Sequence, residues 1–123
     1  MTQKVHFKAS PATLFSLYTD SRLHSESTGS GAFTAGDGYI GGVNLHVEKD
    51  RMIVQTWRGS DWRREDPDSI FILLLIPDAE GTTLHVTHAN IPDEQFEGIR
   101  EGWKEYYWKP WKAWIRKAAA EGK

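Results

Sequence analysis

The residues best equipped for chemistry in this chain do not assemble into a catalytic pattern. Asp61, Glu65, Asp66 and Asp68 crowd into GSDWRREDPDS beside Arg58, Arg63 and Arg64. Acid–base work needs a carboxylate tuned by burial or by a charged partner, and a loop this polar reads first as solvated. His85 and His88 lie three apart on an expected strand and so point to opposite faces, which prevents joint chelation. His6, His24 and His46 fall in separate elements, so no metal is expected and each histidine reads as exposed or hydrogen-bonded. Ser10, Ser25, Ser27 and Ser30 lack the strand–turn–helix setting of a serine nucleophile, and there is no cysteine. GDGYIG at 36–41 matches GxGxxG, but Gly42 and the alternating VNLHV follow it where a dinucleotide site needs a helix. It reads as a turn between strands, with no cofactor. Enzymatic activity stays open, and the non-catalytic reading is the simpler one.

What remains is aromatic. GWKEYYWKPWKAWIRK, residues 102–117, holds four of the six tryptophans around Pro110. At roughly 100° per residue, Phe96, Ile99, Trp103, Tyr107, Trp111, Trp114 and Ala118 share one helix face, with Trp108 and Ile115 outside it. Large residues at helical spacing usually form core. The alternative is a pocket wall, because tyrosine and tryptophan offer an apolar body with a polar tip. A ligand pocket would then be lined by Trp103, Tyr107, Trp111, Trp114, Phe96 and Ile99, and by one phase of the facing strands, such as Phe33, Trp57, Phe71, Leu73 and Leu75. A cavity enzyme would need a polar group there, with Tyr107 and His85 as candidates.

The elements that must position these residues follow from pattern. QKVHFKA (3–9) alternates as a strand, then Ser10 caps a helix with Pro11 at its first position. Asp20 can cap a second helical turn, which TGSGAFTAGDGYIGG ends. Val43, Leu45 and Val47 alternate with polar residues, predicting a strand with one buried face. Lys49-Asp50 turns the chain into RMIVQTWR, and IFILLLIP reads as a central strand covered on both faces, turned by PDAEG into TTLHVTHA. Beyond Pro92 a long helix begins. Pro110 costs it about 3 kcal/mol and Gly98 and Gly102 about 1 kcal/mol each. Four buried aromatics return roughly 15–25 kcal/mol as an upper bound, so the helix should continue, bent near Pro110 with the Tyr106 carbonyl released. The order gives an α+β domain, five or six antiparallel strands with the last helix laid across them.

At 123 residues the chain is one domain, 1–123, with 39% hydrophobic and 26% charged residues, a composition that buries a core. A net charge of −2 with interspersed signs argues against nucleic acid. The longest apolar run is far too short to span a membrane and the N-terminus has no apolar leader segment. A cytoplasmic protein is the simplest expectation, monomer or homodimer.

SPATLFSLYTD, TGSGAFTAGDGYIGG, IVQTWRGSDWRREDPDSI, THANIPDEQ and GWKEYYWKPWKAW succeed one another in a recognisable order. From about Lys4 to Trp114 the chain resembles the family homologous to the C-terminal domain of activators of the Hsp90 chaperone ATPase. The motifs carrying the likeness are AGDGYIGG, the Trp57-Arg58 and Asp61-Trp62 pairs, and Gly102-Trp103 followed by Tyr107-Trp108 and Pro110. The resemblance implies the helix-grip fold of START domains, polyketide cyclases and the birch-pollen allergen (SRPBCC superfamily): a curved antiparallel sheet around a long C-terminal helix, with two short helices after the first strand. It supplies no shared catalytic constellation and no chaperone-contacting residue. Three functions follow as expectations: a non-catalytic domain binding a small apolar or aromatic ligand between sheet and helix, a co-chaperone-like protein acting on an Hsp90-class chaperone, or a cyclase-like enzyme.

Overall fold

A computed structural model describes residues 1–19 and 40–120. The helical turn expected after Asp20, His24, Phe33 and the Gly36–Tyr39 stretch lie outside the described residues. Strand β1 (Thr2–Phe7) leads into helix α1 (Pro11–Thr19), followed by β2 (Ile40–Gly41), β3 (Asn44–Glu48), β4 (Met52–Gly59), β5 (Ser69–Asp78) and β6 (Gly81–Ala89). A 3-10 turn at Asp93–Gln95 opens the C-terminal helical run: α2 (Phe96–Trp103), a π-helical turn (Lys104–Trp108) and α3 (Lys109–Ala120). Every strand pairing among the described residues is antiparallel. The six-stranded sheet runs β1-β6-β5-β4-β2, with β3 also paired to β4. This is the α+β helix-grip arrangement.

Local chemistry explains the start of α1. The Ser10 hydroxyl accepts the Thr13 N–H at 3.2 Å and the Ser10 carbonyl accepts the Leu14 N–H at 3.2 Å, while Pro11 takes the first position, where its missing donor costs nothing. The apolar face of α1 then buries Leu14 and Leu17.

The sheet's inner phase is set by register. Ile53 faces Leu73, Gln55 faces Phe71 and Trp57 faces Ser69 across β4–β5, and Phe71, Leu73 and Leu75 face His88, Val86 and Leu84 across β5–β6. Directly paired residues share a face, so these side chains form one surface turned toward the helices. Phe71, Leu73, Leu75, Leu84 and Val86 are all at most 3% exposed.

β3 departs from its sequence pattern. Val43, Leu45 and Val47 are 63%, 57% and 47% exposed rather than sharing a buried face. The register shifts between Asn44↔Gln55 and His46↔Val54, leaving Leu45 as the extra residue of a bulge. One inserted residue reverses the side-chain phase, so the alternation read along the sequence does not map to one face. The following turn does form at Lys49-Asp50, with Arg51 N–H bonded to the Glu48 carbonyl at 3.0 Å and Asp50 in the left-handed region at φ 63°, where aspartate is among the more tolerant residues.

The C-terminal helix continues through Pro110 but changes its winding just before it. Lys109 N–H bonds the Lys104 carbonyl five residues back. In a regular turn the Pro110 ring would press on the carbonyl of Tyr106, and the wider turn is how the chain accommodates it. Winding falls to roughly 80° per residue from roughly 100°, which rotates everything beyond it. Trp108 and Ile115, placed off the inner face by simple periodicity, are correspondingly drawn inward. Trp108 is 5% exposed and Ile115 packs on the core, whereas Trp114 is only partly buried.

Candidate functional site

The helix-facing side of the sheet meets a belt of aromatic rings. Trp103 lies nearly parallel to Phe71, centroids 4.6 Å apart at 12°, and nearly parallel to Trp108 at 5.6 Å and 16°. The five-residue spacing of Trp103 and Trp108 suits the π turn between them. Tyr107 touches Trp103 at 4.7 Å, and Trp111 meets Trp108 edge-on at 5.5 Å and Phe7 at 5.9 Å. From α1, Tyr18 reaches into the belt against Phe71, Trp103, Tyr107 and Trp111, at 5.7 to 6.4 Å. Helix, sheet and α1 rings are thus in mutual contact.

Several polar tips of this belt find partners inside it. Trp103 Nε1–H donates to His88 Nδ1 at 3.2 Å, which leaves the imidazole proton on Nε2. That N–H donates to Ser69 Oγ at 2.7 Å, and the Ser69 hydroxyl donates to the Trp57 carbonyl at 2.5 Å. His88 and Ser69 are fully buried. Burial pushes the His88 imidazole down to about 4, because the charged form loses its hydration. Trp108 Nε1–H donates to Gln3 Oε1 at 2.8 Å, and the Tyr18 hydroxyl donates to Gln55 Oε1 at 2.7 Å. Burial raises the Tyr18 and Tyr107 phenols above their ordinary range, so both stay protonated. Trp111 Nε1–H is buried without a hydrogen-bond partner among the described residues.

A second ordered unit lies at one end. The acidic loop after β4 is not simply solvated: Arg58 donates to the carbonyls of Arg63 at 2.5 Å and Asp66 at 2.6 Å, and to Asp68 Oδ1 at 3.3 Å. Asp66, largely buried, accepts the Arg63 N–H at 2.9 Å and pairs with its guanidinium at 3.2 Å. Arg63 also reaches Glu94 at 3.2 Å, bridging the loop to the entry of the C-terminal helices. The loop presses Trp62 onto Trp57 at 5.8 Å, with the Arg58 guanidinium 5.9 Å from the Trp62 ring. These are the Trp57-Arg58 and Asp61-Trp62 pairs singled out above. The Asp66, Asp68 and Glu94 carboxylates are spent on holding this loop.

The candidate residues therefore distribute as follows. Trp103, Trp111, Phe71, Leu73 and Leu75 are buried in the helix–sheet interior, and Tyr107, Trp57, Trp114 and Ile99 pack partly buried against it. Phe96 is half-buried at the start of α2. Phe33 lies outside the described residues. His85 pairs with Lys4 and Leu74, one residue out of phase with Leu84 and Val86, and so points away from the helix. The belt also contains Phe7, Tyr18, Trp62, Trp108, Ser69 and His88, which sequence reasoning had not assigned to it. For His88 a signal existed, since it continues the Leu84–Val86 phase. For Trp108 the signal was Pro110, whose accommodation changes the helix phase.

Among the described residues no three His, Asp or Glu side chains are grouped to hold a metal ion, and no helix is long and apolar enough to cross a membrane.

Comparison with known proteins adds three findings. The family described as Activator of Hsp90 ATPase homolog 1-like protein matches residues 8–113. Among curated proteins, the chain is 28% identical over 110 residues to the activator of 90 kDa heat shock protein ATPase homolog of Dictyostelium discoideum, covering 82% of this chain and 29% of that protein. It is 30% identical over 121 residues to the human homolog 1, covering 89% and 35%. The chain thus spans about a third of the length of these relatives. Among solved structures, an HSP90 activator from Plasmodium falciparum superposes with a TM-score of 0.73 at 21% identity, covering 89% of this chain and 91% of that one. An AHSA1-like protein from Rhizobium etli gives 0.72 at 24%, covering 91% and 78%. At these identities the structural likeness establishes the fold.

Proposed function

We propose, from the premise that this chain belongs to the Activator of Hsp90 ATPase homolog 1-like family, that it is a non-catalytic helix-grip domain acting through its surface on an Hsp90-class chaperone. The observation that carries the first half is the mutual packing of Trp103, Trp108 and Trp111 with Phe71, Phe7 and Tyr18. Rings that satisfy one another, with polar tips bonded internally through His88, Ser69, Gln3 and Gln55, behave as a core. The partner rests on the family and on the names of the curated relatives, of which this chain matches about a third. The test is the ATPase rate of a purified Hsp90-class chaperone titrated with the domain. A saturable change supports the reading, and no binding or rate change at high micromolar concentration overturns its choice of partner.

A second reading has one observation in its favour. The buried Trp111 N–H, without an acceptor among the described residues, is a group that a small apolar or aromatic ligand carrying an acceptor would satisfy. Its wall would be Trp103, Tyr107, Trp111 and Trp114 with Trp57, Phe71, Leu73 and Leu75 opposite, flanked by Phe96 and Ile99. The cyclase-like reading loses His85 to the outer face of the sheet.

A further inference from the structure

A groove of about 300 Å³ lies between β1 and α3, lined by His6, Phe7, Lys8, Lys112, Ile115 and Arg116. Consecutive strand residues point to opposite faces. His6 and Phe7 close β1 with side chains on opposite faces and Lys8 follows directly after it, so a depression touched by all three passes around the edge at the end of the strand rather than lying over one face. β1 is a terminal strand of the sheet and pairs only with β6 among the described residues. Its other edge presents backbone groups to whatever occupies the groove.

The walls are apolar at the floor and cationic at the rim. Phe7 and Ile115 supply the floor, and the Lys112 ammonium sits 5.8 Å from the Phe7 ring. Lys8, Lys112 and Arg116 are exposed and have no carboxylate partner among the described residues, while His6 is paired with Asp78 at 3.2 Å. The charge is segregated on a larger scale too. Residues 1–19 and 106–120, which build both walls, contain no aspartate or glutamate, although the chain carries seventeen. A local cationic strip on an anionic protein selects a short acidic ligand over an extended polyanion, since the remainder of the surface repels the latter.

We propose that this groove binds an extended acidic polypeptide segment that adds as a strand to β1, its carboxylates meeting Lys8, Lys112 and Arg116 and an apolar side chain resting on Phe7 and Ile115. The site is independent of the chaperone assigned above and requires no cavity beneath the helix.

The test uses fluorescence anisotropy with a short fluorescein-labelled peptide of alternating glutamate and valine, and with glutamine and lysine counterparts. The glutamate peptide should bind best and weaken as salt rises from about 50 to about 300 mM. The Lys112→Glu, Arg116→Glu double variant should weaken it by about tenfold or more, and Lys49→Glu in the distant β3–β4 turn should leave it unchanged. Melting curves establish that each variant is folded. Should the double variant fail that check, Lys8→Gln, on the opposite wall, must lower affinity by itself. Amide shifts in the complex should concentrate at residues 4–8 and 112–116. Equal binding of all three peptides, indifference to the charge variants, or tighter capture by phosphatidylserine vesicles or single-stranded RNA would each overturn the proposal.

Discussion

His88 carries the clearest prediction that a single side chain makes. Its imidazole is fully buried, holds the Trp103 indole and Ser69, and has a folded-state pKa near 4 against the ordinary 6.5. As pH falls, the unfolded chain takes up this proton first, so the contribution is complete above about pH 6.5, is lost as pH falls toward 4, and is flat below. Between pH 7 and pH 5 the loss amounts to about 2 kcal/mol. Urea denaturation of the wild type and His88→Gln at both pH values checks this. The difference in stability between the two proteins should shrink by about that amount at pH 5, and a difference that does not vary with pH would refute the assignment. The apolar Leu84–Val86 phase was the sequence signal that His88 turns inward and His85 outward. Which side chains His88 would meet there was a question of sheet register, which the pairing with Phe71 answers.

At the level of elements, the π turn decides which tryptophans hold the domain together. Straight periodicity gives Trp114 to the core and Trp108 to the surface, whereas the structure buries Trp108 against Trp103, Trp111 and Phe7 and leaves Trp114 partly exposed. Trp108→Ala should therefore cost about 3–5 kcal/mol, and Trp114→Ala clearly less, in denaturant unfolding. The reverse order would contradict the π register. A π turn is an α-helix with one residue inserted, which yields a sharper expectation. Deleting exposed Tyr106 together with Pro110→Ala restores regular spacing to Trp103, Tyr107, Trp108 and Trp111. That variant should keep its near-ultraviolet circular dichroism and melt no lower than the parent. The existence and extent of the C-terminal helix were legible from its apolar spacing, and the proline located the irregularity. Its form was not legible, because a fixed angle per residue cannot register an inserted one. β3 failed for the related reason that a bulge reverses strand phase, as at Leu45.

For the whole molecule, the order of elements sufficed for an α+β domain with the last helix laid across an antiparallel sheet, since such a run of strands and one long amphipathic helix have few ways to bury both apolar faces, while the helix-grip form of it was implied by the motifs' family resemblance. The use of the interior was less legible. Large rings at helical spacing are the same signal whether they meet a ligand or one another, and the distinction lies in tertiary contacts such as Phe71 with Trp103 and Tyr18 with Trp111. The central claim is that the aromatic belt is a core, leaving the surface to do the binding. It is tested most directly by native mass spectrometry of the purified protein, paired with tryptophan-fluorescence titration against lipids and aromatic metabolites. The account predicts a mass equal to the polypeptide alone and no saturable change in tryptophan emission. A retained small molecule, or a saturable titration abolished by a folded Trp111→Phe variant, would contradict it.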